Sequence, residues 1–153
     1  MSDTTFEIDK DNLEVRITRV FNATPERMWQ AHTEAEQIEQ WWDKTTVDKL
    51  DFKVGGAWRF VSEGEMNGKP NAFSGVFKEI DEPKKIVRTF EFEPFAGHVM
   101  TESVIFEPVG DGKTKQITIS KYSDEADLNG MVHMGMEKGA EAGLDRLAKV
   151  VES

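Results

Sequence analysis

The chain has 153 residues, a formal net charge of −10 and no cysteine. That length suits one domain with a sizeable core. The acidic balance argues against nucleic acid, whose phosphates need a basic face, and against electrostatic docking on anionic lipid. Without thiols there are no disulfides, no thiolate chemistry and no cysteine metal sites. Residues 1–12 are polar and acidic and lack the apolar core of a signal peptide, and no apolar run approaches the ~20 residues of a membrane helix. A cytoplasmic protein that does not insert into membranes is expected, with residues 1–12 as a flexible lead and 13–153 as one domain.

The first clear element runs from Leu13 to Phe21, where apolar and polar residues alternate as in a half-buried strand. Leu13, Val15, Ile17 and Phe21 share the inward face, and Arg19 falls on it too. Thr24, Pro25 and Glu26 then give an N-cap, a first helical position and an acidic first turn, so a short helix is expected to about His32. Thr33 and Glu36 have capping-box spacing for a second helix ending at Trp41 and Trp42. Adjacent rings on a helix point in different directions, so one should enter the core and the other sit at a rim or a protein contact.

From Val47 onward the period is two. Leu50, Phe52 and Val54 share a face, Gly55 and Gly56 turn the chain, and Trp58 and Phe60 continue on the next strand. Asn67-Gly68 marks a hairpin. Phe73, Gly75, Phe77 and Glu79 then share a face, and after a turn at 81–84 so do Ile86, Arg88, Phe90 and Phe92. Two further strands cover about Val99–Glu107 and Gln116–Tyr122. Short turns between about seven successive strands imply an antiparallel meander. Residues 124–151 keep apolar spacings of three and four, predicting one helix of about 40 Å.

Three features of this pattern bear on function. The inward aromatics Phe52, Trp58, Phe60, Phe73, Phe77, Phe90 and Phe92 can either fill a core or line a cavity. Met131, Met134 and Met136 are placed to face them, and methionine and aromatic linings adapt to varied apolar ligands. Gly135, Gly139 and Gly143 recur every fourth residue on the last helix. Each costs ~1 kcal/mol against alanine there, which either close approach to the sheet or space left for a ligand should offset. Glu79 and Arg88 interrupt the inward face, and a turn centred on Pro83 and Lys84 predicts them as a cross-strand ion pair. With Arg19 they are candidate polar groups of the cavity, or else an internal salt bridge.

Signs of catalysis are weak. His32, His98 and His133 are scattered without metal-ligand spacing, and no phosphate loop or nucleophile elbow is present. His133, on the last helix, is the acid–base candidate placed to approach the cavity. No metal or cofactor is expected.

The segments Thr18–Phe21, Ala23–Trp29, Trp41-Trp42, Gly55–Phe60, Phe73–Ile80, Gly135–Gly139 and Leu144–Leu147, in this order and spacing, resemble the START-like (SRPBCC) superfamily. Within it they are similar to the branch named for the activator of the heat-shock-protein-90 ATPase. The resemblance runs from about residue 13 to 151. It implies an α+β helix-grip fold with a cavity under the C-terminal helix, its site drawn from Trp41, the aromatics above, Arg88, Met131, Gly135, Met136, Gly139 and Ala140. Many members carry tryptophan at the position of Ala140, so alanine there either enlarges the cavity or leaves space that neighbours fill. Binding of a small hydrophobic or aromatic molecule is the expected function. The alternatives are a co-chaperone acting by protein contact and a cyclase- or hydrolase-type enzyme using the same cavity.

Overall fold

A computed structural model describes residues 4–133 and 135–152, and for Met136 the backbone alone. Met134 and the side chain of Met136 therefore lie outside the described residues. In chain order the elements are β1 (Thr5–Asp9), β2 (Glu14–Phe21), α1 (Pro25–Thr33), α2 (Ala35–Trp41), β3 (Thr45–Leu50), β4 (Ala57–Met66), β5 (Lys69–Asp81), β6 (Lys85–Phe92), a 3-10 turn η1 (Glu93–Phe95), β7 (Val99–Gly110), β8 (Lys113–Lys121), α3 (Glu125–His133) and α4 (Met136–Val151).

The strands form one 8-stranded sheet in the order β1-β2-β8-β7-β6-β5-β4-β3, every neighbouring pair antiparallel. Helices α1 and α2 carry the chain from β2 to the far edge. The meander β3 to β8 then returns strand by strand until β8 pairs with β2. The seven strands expected from alternation are all present. The eighth is β1, inside the segment read as a flexible lead. Its alternation is faint because only Phe6 among its residues is even half-buried.

Local chemistry explains most boundaries. Thr24 Oγ1 accepts from Arg27 N at 3.2 Å, with Pro25 at the first helical position. The capping box expected from Thr33 does not form. Thr33 is the last residue of α1, its hydroxyl donates to Trp29 O at 2.8 Å, and Glu34 starts α2 without a side-chain cap. Asn67 and Gly68 both have positive φ, 55° and 74°, as a two-residue hairpin with right-handed strand twist requires. Strand β3 ends at Leu50, so Phe52 lies in the loop that leads to β4 rather than on a strand.

The core lies between the sheet and the helices. Met28, Trp29 and Ala31 of α1, Ile38 of α2, and Leu144, Leu147, Ala148 and Val151 of α4 meet Phe21, Phe60, Val104 and Phe106 of the sheet. Thr114 Oγ1 donates to Ala23 O at 2.7 Å, tying the start of α1 to β8. Arg19 Nη1 lies 2.7 Å from Asp145 Oδ1, and Arg146 Nε donates to Trp41 O at 2.9 Å, so α4 is anchored to β2 and α2.

The single long helix expected over 124–151 is two helices. Gly135 adopts a left-handed conformation with φ 78°, which a side chain strongly disfavours, and α4 begins immediately after it. As a result α4 lies along α1 and α2, and α3 separately covers the end of the sheet near β6 and β7.

Gly75 marks a close approach. A Cβ there would stand 2.0 Å from Thr89 O, the same carbonyl that accepts from Trp58 Nε1 at 3.2 Å. The missing side chain thus lets β6 approach β5 and hold the indole of Trp58 in place.

Candidate functional site

Under α3 lies a cavity of about 440 Å³. Its floor is Phe73 of β5, Phe90 and Phe92 of β6 and Met100 of β7. Met66 from the β4–β5 hairpin, Phe95 of η1 and Val99 form one side. Ala126, Asp127, Gly130 and Met131 of α3 form the roof, with His98 and Tyr122 completing the lining. The volume falls within the usual ~300–1,000 Å³ of small-molecule sites.

The floor is a continuous run of rings. Centroid distances are 5.8 Å for Phe95–Phe92, 4.9 Å for Phe92–Phe73, 5.4 Å for Phe73–Phe90 and 5.2 Å for Phe90–Trp58. Trp42 seals it from the helix side, 5.6 Å from Phe73 and 5.0 Å from Phe60. Trp41 faces the other way, against His32 at 5.0 Å, with its indole N–H donating to Ala31 O.

Two supports position the walls. Arg59 of β4 holds Glu93 through Nε at 2.9 Å and Nη2 at 3.0 Å, and Asn67 Nδ2 donates to Pro94 O at 3.1 Å, so η1 and its Phe95 are fixed to β4 and the hairpin. The Arg59 hydrogen bonds hold the Glu93 carboxyl below its ordinary pKa. On the opposite side His98 Nδ1 lies 2.7 Å from Asp127 Oδ1, and Ser123 Oγ donates to Asp127 Oδ2 at 3.0 Å, linking β7 to α3 across the mouth. Asp127 N in turn donates to Asp124 Oδ1, which caps α3.

Behind the floor is a buried polar group. Arg88 of β6 pairs with Glu102 of β7, with Nε and Nη2 each 2.9 Å from Glu102 Oε1, and its guanidinium lies 4.4 Å from the Trp58 ring centroid. His32 Nε2 is 2.8 Å from Gln116 Oε1. Burial, aided by the charge of Arg88, brings the His32 pKa down to about 4. Tyr122 is 6% exposed and its hydroxyl has no hydrogen-bond partner among the described residues. Burial, with the nearby Glu102 charge, pushes its pKa up to about 12.

Of the residues singled out in the sequence, Phe73, Phe90, Phe92 and Met131 line this cavity. Trp58, Phe60 and Phe77 are fully buried core, and Phe52 packs between Trp29 and Phe77. Trp41 and Arg88 support neighbouring groups without lining the space. Gly135, Gly139 and Ala140 belong to the α3–α4 break and to α4, away from the lining. Open space surrounds Gly135 and Gly139, so the glycine stripe serves neither close packing nor the described cavity. Arg19 does point inward, but toward Asp145 of α4. His133 is exposed at the end of α3.

The expected Glu79–Arg88 pair does not form. A bulge between Phe77 and Glu79 sets Phe77 opposite Arg88 and Glu79 opposite Val87. Glu79 is thereby turned outward, 3.6 Å from Lys85, and Glu102 takes its place. Sequence reasoning also left out Met66, Phe95, Val99, Met100 and Tyr122. Tyr122 carried no legible signal, because the apolar parity on β8 is that of Ile117 and Ile119 and Tyr122 falls on the polar one.

A second hollow of about 510 Å³, lined by Arg27, Gln40, Arg146, Lys149 and Val150, lies on the outside of the helices. It is larger but broadly open. Arg27 Nη2 donates to Val150 O and Arg146 Nε to Trp41 O, so its guanidinium groups join helices together. The apolar cavity is the stronger candidate.

A sheet gripped by a C-terminal helical segment, with a cavity between them, is the helix-grip arrangement of START-like proteins. The family described as Activator of Hsp90 ATPase homolog 1-like protein matches residues 22–152, and the chain belongs to it. A crystal structure of a Mycobacterium smegmatis protein is similar at 26% identity, covering 97% of this chain and 98% of that one, with a TM-score of 0.83. A solution structure from Arthrobacter aurescens shares the fold at 24% identity, 97% and 91% coverage and a TM-score of 0.86. The crystal structure of an HSP90 activator from Plasmodium falciparum aligns at 25% identity over 71% of this chain and 72% of that one, with a TM-score of 0.60. No curated protein gives a significant sequence match. Among the described residues no helix is long and apolar enough to cross a membrane.

Proposed function

We propose that this protein binds a compact apolar or aromatic molecule in the cavity between α3 and strands β5 to β7. The observation that carries this reading is where exposed apolar surface collects. Met66, Phe95, Val99 and Met131, each between 37% and 42% exposed, ring one mouth. The other exposed large hydrophobics, Ile8, Val20, Val54 and Val109, lie apart on strands and turns. Contiguous apolar surface around a concave site marks a place where something binds, because covering it recovers about 25 cal/mol per Å².

The test is thermal-shift screening of the full chain with fatty acids and two- and three-ring aromatics, alongside a Gly130→Phe variant. Gly130 belongs to the cavity roof and a Cβ there meets no heavy atom within 4 Å, so a larger side chain at this position is the substitution chosen to fill the space. A ligand that binds only the native state raises the melting temperature. The expected result is a rise for the wild type that Gly130→Phe abolishes. No rise with any member of the panel, or an equal rise in the variant, contradicts the reading.

A second reading, contact with a chaperone ATPase, draws support from the family description and from the likeness to the Plasmodium activator. Stimulation of an Hsp90-type ATPase by the full chain tests it, and stimulation unchanged by Gly130→Phe would place that activity outside the cavity.

A further inference from the structure

We infer that the hollow on the outside of the helices is an anion site for a phosphoryl group, as carried by a phosphate ester or a diphosphate. It is separate from the apolar cavity and does not depend on the binding reading above.

The observation that carries it is how the arginines are paired. Arg19, Arg59 and Arg88 are shielded from solvent, and each meets a carboxylate, on Asp145, Glu93 and Glu102 respectively. Arg16 is exposed to water. Arg27 and Arg146 are half-buried, yet neither has a carboxylate partner among the described residues. Arg27 donates through Nη1 to Gln37 Oε1 and through Nη2 to Val150 O, and Arg146 donates through Nε to Trp41 O, all neutral oxygens. Both line the hollow, and Lys149 is the third cation of its lining. The chain has 29 acidic residues against 19 Lys and Arg, but no carboxylate lines this space. Cations that have lost part of their water without gaining a counter-charge leave a favourable place for an anion.

The donors select its chemistry. The bonds to Val150 O and Trp41 O fix the two guanidinium groups between helices. Arg146 keeps both Nη groups uncommitted, an edge that matches two oxygens of a phosphate. Gln40 of α2 and Lys149 of α4 are exposed and add an amide and an ammonium. Three positive charges exceed what one carboxylate balances, whereas a phosphoryl group brings nearly two negative charges in a compact volume. The hollow, of about 510 Å³, is large enough for that group and open enough to leave the rest of an ester in solvent.

The test is isothermal titration of the full chain with inorganic diphosphate at fixed ionic strength. The expected result is saturable one-to-one binding to the wild type. Lys149→Gln should weaken it about threefold, the worth of one exposed charge contact. Gln40→Glu places a carboxylate in the hollow and should abolish it. Both side chains are exposed, so neither change disturbs the core. Lys85→Gln, which removes a charge from β6, should bind as the wild type does. Absence of saturable binding to the wild type, binding retained in Gln40→Glu, or equal weakening in Lys85→Gln and Lys149→Gln overturns the inference. So does tighter binding of citrate or of a hexaglutamate peptide than of diphosphate, which would assign the hollow to a carboxylate-rich molecule or an acidic protein segment instead.

Discussion

Arg88 and Glu102, directly opposed on β6 and β7, form an ion pair with side chains only 10% and 14% exposed, and the Trp58 ring covers the guanidinium. Each charge has lost most of its water and relies on the other. Removing one partner of such a pair typically costs about 3–5 kcal/mol, because the remaining charge is stranded. Glu102→Gln and Arg88→Met should each lower urea-unfolding stability by that order. The double variant Arg88→Met, Glu102→Gln should be destabilised by less than the sum of the two single variants. Additive losses would show that the two side chains act independently.

His32 packs against Trp41 and Phe106 with its pKa lowered to about 4 by burial. Its unfolded value is near 6.5, so between pH 6.5 and 4 the unfolded chain binds more protons than the folded one. Stability therefore falls as pH drops through that window, and the His32 contribution flattens below pH 4. The ring keeps partial solvent contact, so the loss is on the order of 2 kcal/mol. Chemical denaturation at pH 7 and pH 4.5 measures it, and a His32→Gln variant should show a shallower dependence.

The glycines of the terminal segment separate by conformation. Gly135 has a left-handed φ, so Gly135→Ala should cost about 1 kcal/mol. Gly139 is helical with open space around it, so Gly139→Ala should stabilise by up to ~1 kcal/mol. Gly75→Ala would drive a methyl into Thr89 O and should cost about 3 kcal/mol. Melting temperatures of the three variants give the order directly.

How much of this was legible beforehand follows from the physics of each element. Strands with one buried face announce themselves through a period of two, and that parity placed Phe73, Phe90 and Phe92 on the inward face without separating core from cavity. It failed at Glu79 because a bulge adds one residue without disturbing the apolar pattern on either side. It missed β1 because an edge strand with a single half-buried residue has no face to alternate. The break at Gly135 was hidden because apolar spacing continues on both sides of it. Met66, Phe95 and Val99 reach the cavity from a hairpin, a 3-10 turn and a strand end, where periodicity carries no information about facing.

Arg59 fixes the Phe95 wall through Glu93, and the pair is partly exposed, so its direct worth is about 1 kcal/mol or less. Arg59→Ala should therefore leave the fold intact and weaken ligand binding several-fold by loosening η1. Equal affinity in wild type and variant would show that this wall does not contribute to the site.

The most direct measurement of the binding site is methionine methyl NMR on the full chain titrated with a compact aromatic ligand. Met66, Met100 and Met131 line the cavity, whereas Met28 is fully buried in the core beneath α1 and serves as an internal reference. The expected result is saturable shifts of the three lining methyls with the Met28 signal unmoved. Saturable binding that leaves those three methyls untouched would contradict a ligand site under α3.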